Sequence, residues 1–145
     1  MLGKPVGHLM AEDRIHEDET GSIVVALATD APLSELSLRA PAKRAAIGIG
    51  RSGTIGGNSS GHIFIAFTRA NPQPMSSRLE VARTVTYLNS GHLKPIYEAA
   101  VERIDEAVIN ALLAGEDVPS VHAHRICRAI NVEPLRQLFS ADQRA

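Results

Sequence analysis

Two residues, Gly21 and Ser22, stand at the head of an apolar run in the stretch "ETGSIVVALATDAPL", Glu19 to Leu33. A serine hydroxyl can attack the carbonyl of the residue before it, giving an ester that water then cleaves. Glycine suits the preceding position, because it has no Cβ to hinder attack and tolerates strained backbone angles. The product of such a cut would begin at Ser22. Its α-amine, with a reference pKa of about 7.7–8.0, would be partly unprotonated near neutrality and within reach of its own hydroxyl. One residue would then carry both nucleophile and general base. The plainer reading is a turn that contains a serine, and Gly-Ser is common enough that the pair alone leaves both open.

The second stretch able to support chemistry is "GIGRSGTIGGNSSG", residues 48–61, with six glycines. A phosphate cradle of the Walker kind would need Gly-Lys-Ser/Thr opening a helix, yet residues 45–70 contain no lysine and a strand follows. Gly57-Asn58-Ser59-Ser60-Gly61 fits G-x-S-x-G, but a nucleophile elbow runs strand, turn, helix, and the order here is helix, loop, strand. Two readings remain, a flexible turn and a loop whose amides and small hydroxyls approach a reacting carbonyl. The histidines are scattered; His122 and His124 would point to different sides of a helix, and no metal-ligand pattern is completed. Cys127, the single cysteine, excludes an internal disulfide and reads as a small buried apolar residue in a helical segment.

These residues must be held by a layered α/β domain. The chain has 145 residues, 44% of them hydrophobic, a net charge of −1 and 3% aromatics. That length allows one domain with a core of Ala, Val, Ile and Leu. No basic stripe suggests nucleic acid, no window is long and apolar enough for a transmembrane helix, and the leading residues lack the apolar stretch of a secretory signal. A cytoplasmic setting is expected. Residues 1–21 read as an extended tail and linker, with five carboxylates between Glu12 and Glu19, and residues 22–145 as the domain proper. Residues 22–28 and 62–69 read as strands, the first buried on both faces, and 83–88 as a third. A helix over 34–50 is capped by Ser34, with Leu36, Ala40, Lys43 and Ile47 in helical spacing and Pro41 either bending it or restarting it. A long helix runs from Lys94 to Leu113 on the period of Ile96, Ala100, Ile104, Val108 and Leu112, and Gly115 ends it. Two short helical segments follow, near 121–130 and 133–139. Three strands make a narrow sheet for so apolar a set.

Four blocks in this order resemble the L-aminopeptidase D-amidase/D-esterase family, which includes the β-peptidyl aminopeptidases. "GKPVGHLM" is similar to its strand and turn before the cleavage segment, and "GSIVVALATDAPL" to its self-cleavage site and following strand. "RAAIGIGRSGTIGGNSSGHIFIAF" resembles its helix, glycine loop and second strand, and "LKPIYEAAVERIDEAVINALLAGEDV" its long C-terminal helix. The resemblance implies an αββα sandwich of the N-terminal nucleophile kind, incomplete in this chain. It implies that Ser22 is the nucleophile freed by cleavage after Gly21, and that Ser60 is a second serine bonding near it. The position two residues on, usually acidic in the family, is His62 here. Neutral imidazole both donates and accepts, where a carboxylate only accepts. Gly57, Asn58 and Ser59 would help place the substrate. The implied enzyme is a serine aminopeptidase acting on short peptides, amino-acid amides or esters, with no metal or organic cofactor and with assembly of several paired subunits. The resemblance also implies a long N-terminal part, a separate subunit after processing, of which the 21 residues ahead of Ser22 would be only a short remainder. The competing expectation is therefore a non-catalytic truncated remnant. A related acyltransferase activity is disfavoured, since it centres on a threonine.

Overall fold

The computed structural model describes residues 1, 3–11, 21–72, 82, 84–119, 121 and 126–140. Most of the acidic linker, and His16, His122 and His124, lie outside the described residues. The elements are α1 (Val6–Leu9), β1 (Val24–Thr29), α2 (Glu35–Arg51), β2 (Ile63–Thr68), α3 (Lys94–Leu113), β3 (Val118–Pro119), β4 (Ile126–Cys127) and α4 (Val132–Ser140), with a 3-10 turn at Ser90–His92. The leading segment is thus not wholly extended, since Val6–Leu9 form one helical turn with Val6 buried.

β1 and β2 pair in parallel, Val24 opposite Ile63 through Thr29 opposite Thr68. Parallel neighbours need a crossover rather than a hairpin, and α2 is that crossover. Its start is set as expected: Ser34 Oγ accepts the Ser37 N–H at 3.1 Å, and Glu35 lies in the first turn, favourable to the helix dipole. The helix runs through Pro41 without restarting, with that ring fully buried. Its covered stripe is Pro41, Ala45, Gly48 and Ile49. This corrects the expected phase, for Leu36 and Ile47 face solvent. The reason is a close helix–helix contact that takes small residues: a Cβ on Gly48 would lie 2.9 Å from Ile104 Cβ, Ile104 Cγ2 and the Val101 carbonyl oxygen.

α3 matches its expected span and lies against α2. Ala100 and Ile104 are buried, while Leu112 in the last turn is exposed. Arg44 stacks its guanidinium 4.0 Å from the centre of the Tyr97 ring. Asp105 receives Arg51 at 3.2 Å and the Ser52 hydroxyl at 3.2 Å, which fastens the end of α2, and so the start of the glycine loop, to α3. The core is Ala45, Ile49 and Ile104, with Ile23, Val25 and Phe64 of the sheet packed on it. Because the set is small, each member matters. Ile49→Ala is expected to cost about 2–4 kcal/mol, read as a lower midpoint in urea denaturation.

Three further expectations are corrected. The strands are not buried on both faces: they alternate, with Val24 66%, Ile63 58%, Ile65 53% and Phe67 47% exposed on the side away from the helices. Helices cover one face only, so the described residues supply one helical layer and one sheet layer. The expected strand at 83–88 does not form among the described residues there. The Asn71 side chain takes both the N–H (3.2 Å) and the carbonyl (3.0 Å) of Thr86, and the Leu88 N–H donates to Pro32 O. Those groups are then spent, and among the described residues the main sheet has two strands rather than three. Ile126–Cys127 pair antiparallel with Val118–Pro119, so the described residues between 121 and 130 form no helix, and Cys127 is exposed. α4 forms near its expected place, and Lys4 Nζ donates to Leu138 O at 2.6 Å while lying 5.3 Å from the Phe139 ring centre.

Candidate active site at the head of the parallel strands

The ladder between β1 and β2 continues past the strand ends, with the Ile63 N–H donating to Ile23 O at 3.1 Å. Residues just before β1 therefore run beside those just before β2. Two side-chain bonds sit there. The Ser60 hydroxyl donates to Gly21 O at 2.7 Å, and the Gly61 N–H donates to Ser22 Oγ at 3.1 Å. Both join residues 39 apart, the same offset that aligns Val24 with Ile63. Strand register thus sets which residues meet, and a one-residue slip would turn every side chain to the other face.

Gly21 and Ser22 are exposed, while Ser60 and His62 are half-buried. His62 follows the parity of Phe64 and faces the helix side, its ring 6.2 Å from the Phe64 ring and tilted by 37°. His62 Nε2 lies 3.3 Å from Ser60 Oγ. Its Nδ1 is buried and has no hydrogen-bond partner among the described residues. The chain thereby brings together Gly21, Ser22, Ser60 and His62: a hydroxyl next to a peptide carbonyl, a hydrogen bond orienting that hydroxyl oxygen, another on the carbonyl oxygen, and an imidazole behind the donor. Such an arrangement can hold a carbonyl while an adjacent oxygen attacks it.

Gly57, Asn58 and Ser59 occupy the turn leading in, closed by the Ser60 N–H donating to Gly57 O at 2.9 Å; Asn58 and Ser59 are exposed. Gly53 and Gly56 adopt positive φ, 113° and 68°, which lets the loop double back between its Asp105 anchor and Ser60. Gly21 does not have positive φ, and a Cβ there would meet nothing within 4 Å; the resting fold does not itself demand glycine at this position. The Gly61 amide was not expected in the site. Its only signal was the pairing of two strands, which spacing along one chain does not reveal. A cleft of about 580 Å³, lined by Met1, Lys4, Val6, Met10, Ser52 and Gly53 among others, includes neither Ser22 nor Ser60. Among the described residues no group of three or more His, Cys, Asp or Glu could hold a metal ion, and no helix is long and apolar enough to cross a membrane.

Known proteins share this arrangement of elements. The beta-peptidyl aminopeptidase BapA of Sphingosinicella microcystinivorans is 42% identical over 113 residues, 78% of this chain and 28% of that protein. Its counterpart from Sphingosinicella xenopeptidilytica is 28% identical over 108 residues. Among solved structures, the L-aminopeptidase D-Ala-esterase/amidase of Ochrobactrum anthropi, a prototype for the serine aminopeptidases and a variant of the Ntn hydrolase fold, superposes with a TM-score of 0.86 at 42% identity. The match covers 99% of this chain and 39% of that one. A Burkholderia sp. beta-aminopeptidase gives 0.74 at 34% identity, covering 97% of this chain and 39% of its own. The chain therefore carries a mixed α/β part of the Ntn hydrolase fold and spans less than two fifths of these relatives' length. A sequence model of peptidase family S58 matches residues 1–126, and with that match over most of its length the chain belongs to peptidase family S58.

Proposed function

We propose that this chain is the nucleophile-bearing part of a serine aminopeptidase that is processed by its own Ser22 at the Gly21–Ser22 bond and then removes N-terminal residues from short peptides, amides or esters. The observation carrying this reading is that Ser60 and Gly61, on one strand approach, hold Gly21 O and Ser22 Oγ, on the other. In the processing step Ser22 Oγ bonds to the Gly21 carbonyl carbon and the C–N bond breaks. The hydroxyl proton ends on the freed nitrogen. Water then hydrolyses the ester, leaving a Gly21 carboxylate and a free Ser22. In turnover the same oxygen attacks the substrate's acyl carbon, with the α-amine of Ser22 taking and returning the proton. Substrate class comes from the relatives, which are beta-peptidyl aminopeptidases and an L-aminopeptidase D-Ala-esterase/amidase.

The bare sheet face of Val24, Ile63, Ile65 and Phe67 takes, in this reading, the second sheet of an αββα sandwich, supplied by the family's N-terminal subunit, and paired subunits assemble further. The same face also favours a second reading, a folded module without turnover of its own. Intact mass of the purified chain, with and without a co-expressed N-terminal part of a relative, separates the two. Loss of residues 1–21 supports the enzyme; an uncut chain under both conditions supports the inert module. Turnover should rise with pH through about 7.7–8.0, since the base is the unprotonated amine, and should fall as acid protonates it. A rate of amide hydrolysis that is flat from pH 6 to 9 would exclude the α-amine as base.

A further inference from the structure

Resting on the reading of Gly21–Ser22 as the processed bond, we infer that His62 is a positioning residue in its Nε2–H tautomer, committing the single proton of Ser60 to the Gly21 carbonyl as the oxyanion donor of the self-cleavage step. Proton counting leads there. A serine hydroxyl has one proton, and the 2.7 Å contact from Ser60 Oγ to Gly21 O uses it, because a carbonyl oxygen can only accept. Ser60 Oγ then faces His62 Nε2 across 3.3 Å with lone pairs only. A neutral ring makes a hydrogen bond there only if Nε2 carries the hydrogen.

The other nitrogen points to the same tautomer. Nδ1 is buried without a partner among the described residues. The Nδ1–H tautomer would bury an unpaired donor there and set the Nε2 lone pair against those of the serine oxygen, losing both interactions. The Nε2–H tautomer leaves only an unpaired acceptor and completes a one-way chain, from His62 Nε2–H to Ser60 Oγ–H to Gly21 O. As Ser22 Oγ bonds to the Gly21 carbon, negative charge gathers on the oxygen at the end of that chain. A carboxylate at position 62 would behave differently. Having no proton to give, it would compete with Gly21 O for the hydrogen of Ser60.

The test follows full-length chain made by cell-free synthesis, with intact mass read over time. Wild type should lose residues 1–21 and Ser22→Ala should stay whole. In the chain that keeps Ser22, Ser60→Ala should slow cleavage by about 10²-fold, the usual effect of one oxyanion donor. His62→Gln puts an amide N–H near the place of Nε2 and should cut within about threefold of wild type, whereas His62→Asn reaches only the place of Nδ1 and should lose about tenfold, the worth of one neutral hydrogen bond. A purely structural role for the ring would make Gln and Asn equally harmful. Long-range ¹⁵N–¹H spectra of the uncut Ser22→Ala chain should show His62 protonated at Nε2. Ser60→Ala cutting at the wild-type rate, equal behaviour of the Gln and Asn variants, or an Nδ1–H signal would overturn this inference while leaving the processing reading intact. A wild-type chain that is never cut, either alone or with a co-expressed N-terminal part of a relative, would overturn both.

Discussion

Ser22→Ala is expected to stop the proposed cut after Gly21 and to lower any amide hydrolysis by on the order of 10⁶-fold, the loss seen when a serine nucleophile is deleted. The fold should not change, because Ser22 is exposed at the head of β1 and its hydroxyl has one described bond, accepted from the Gly61 N–H. Circular dichroism and the thermal midpoint should therefore match wild type while mass and turnover do not. Ser22→Cys supplies the contrast. A thiol is a stronger nucleophile at neutral pH and should keep processing. Should the alanine chain be clipped after Gly21 at the wild-type rate, a contaminating protease is responsible and the proposal fails.

Gly48→Ala should destabilise the chain by about 1–3 kcal/mol, although alanine is the better helix former by about 1 kcal/mol. The added methyl would sit 2.9 Å from Ile104 Cβ, Ile104 Cγ2 and the Val101 carbonyl oxygen, and backbone cannot swing aside as a flexible side-chain end can. α2 and α3 would have to part, pulling Arg51 and Ser52 against their common hold on Asp105. The glycine loop begins there, so processing should slow together with the loss of stability. Ile104→Ala in the same chain should not restore it, because two of the three close atoms remain. Denaturant midpoints of the single and double variants decide this. A Gly48→Ala chain more stable than wild type would show that the helices have room to spare.

The elements legible in the sequence were those whose local chemistry agreed with their packing. Ser34 caps α2, the fourfold spacing from Ile96 to Leu112 marks α3, and β-branched runs mark β1 and β2. The phase of α2 is not legible in its apolar spacing, because its contact face is made of Pro41, Ala45 and Gly48, small or helix-breaking residues, while the bulky Leu36 and Ile47 face solvent. Thr84–Leu88 have strand-like composition, but one asparagine, Asn71, claims the backbone of Thr86. At the site, Gly21 and Ser22 were visible as chemistry, and Ser60 and His62 through likeness to a family. What no linear reading could supply is the contact itself. Gly61 meets Ser22 only because two parallel strands fall into one register, and the unpartnered Nδ1 of His62 exists only in the packed fold.

That register also governs timing. Partners 39 residues apart cannot be joined by local contacts alone, since the chain between them must close before a parallel pair is gained. A newly made polypeptide would thus keep its Gly21–Ser22 link through every earlier stage of maturation. In the proposed reading, scission would be a chemical stamp that the long-range architecture has been reached.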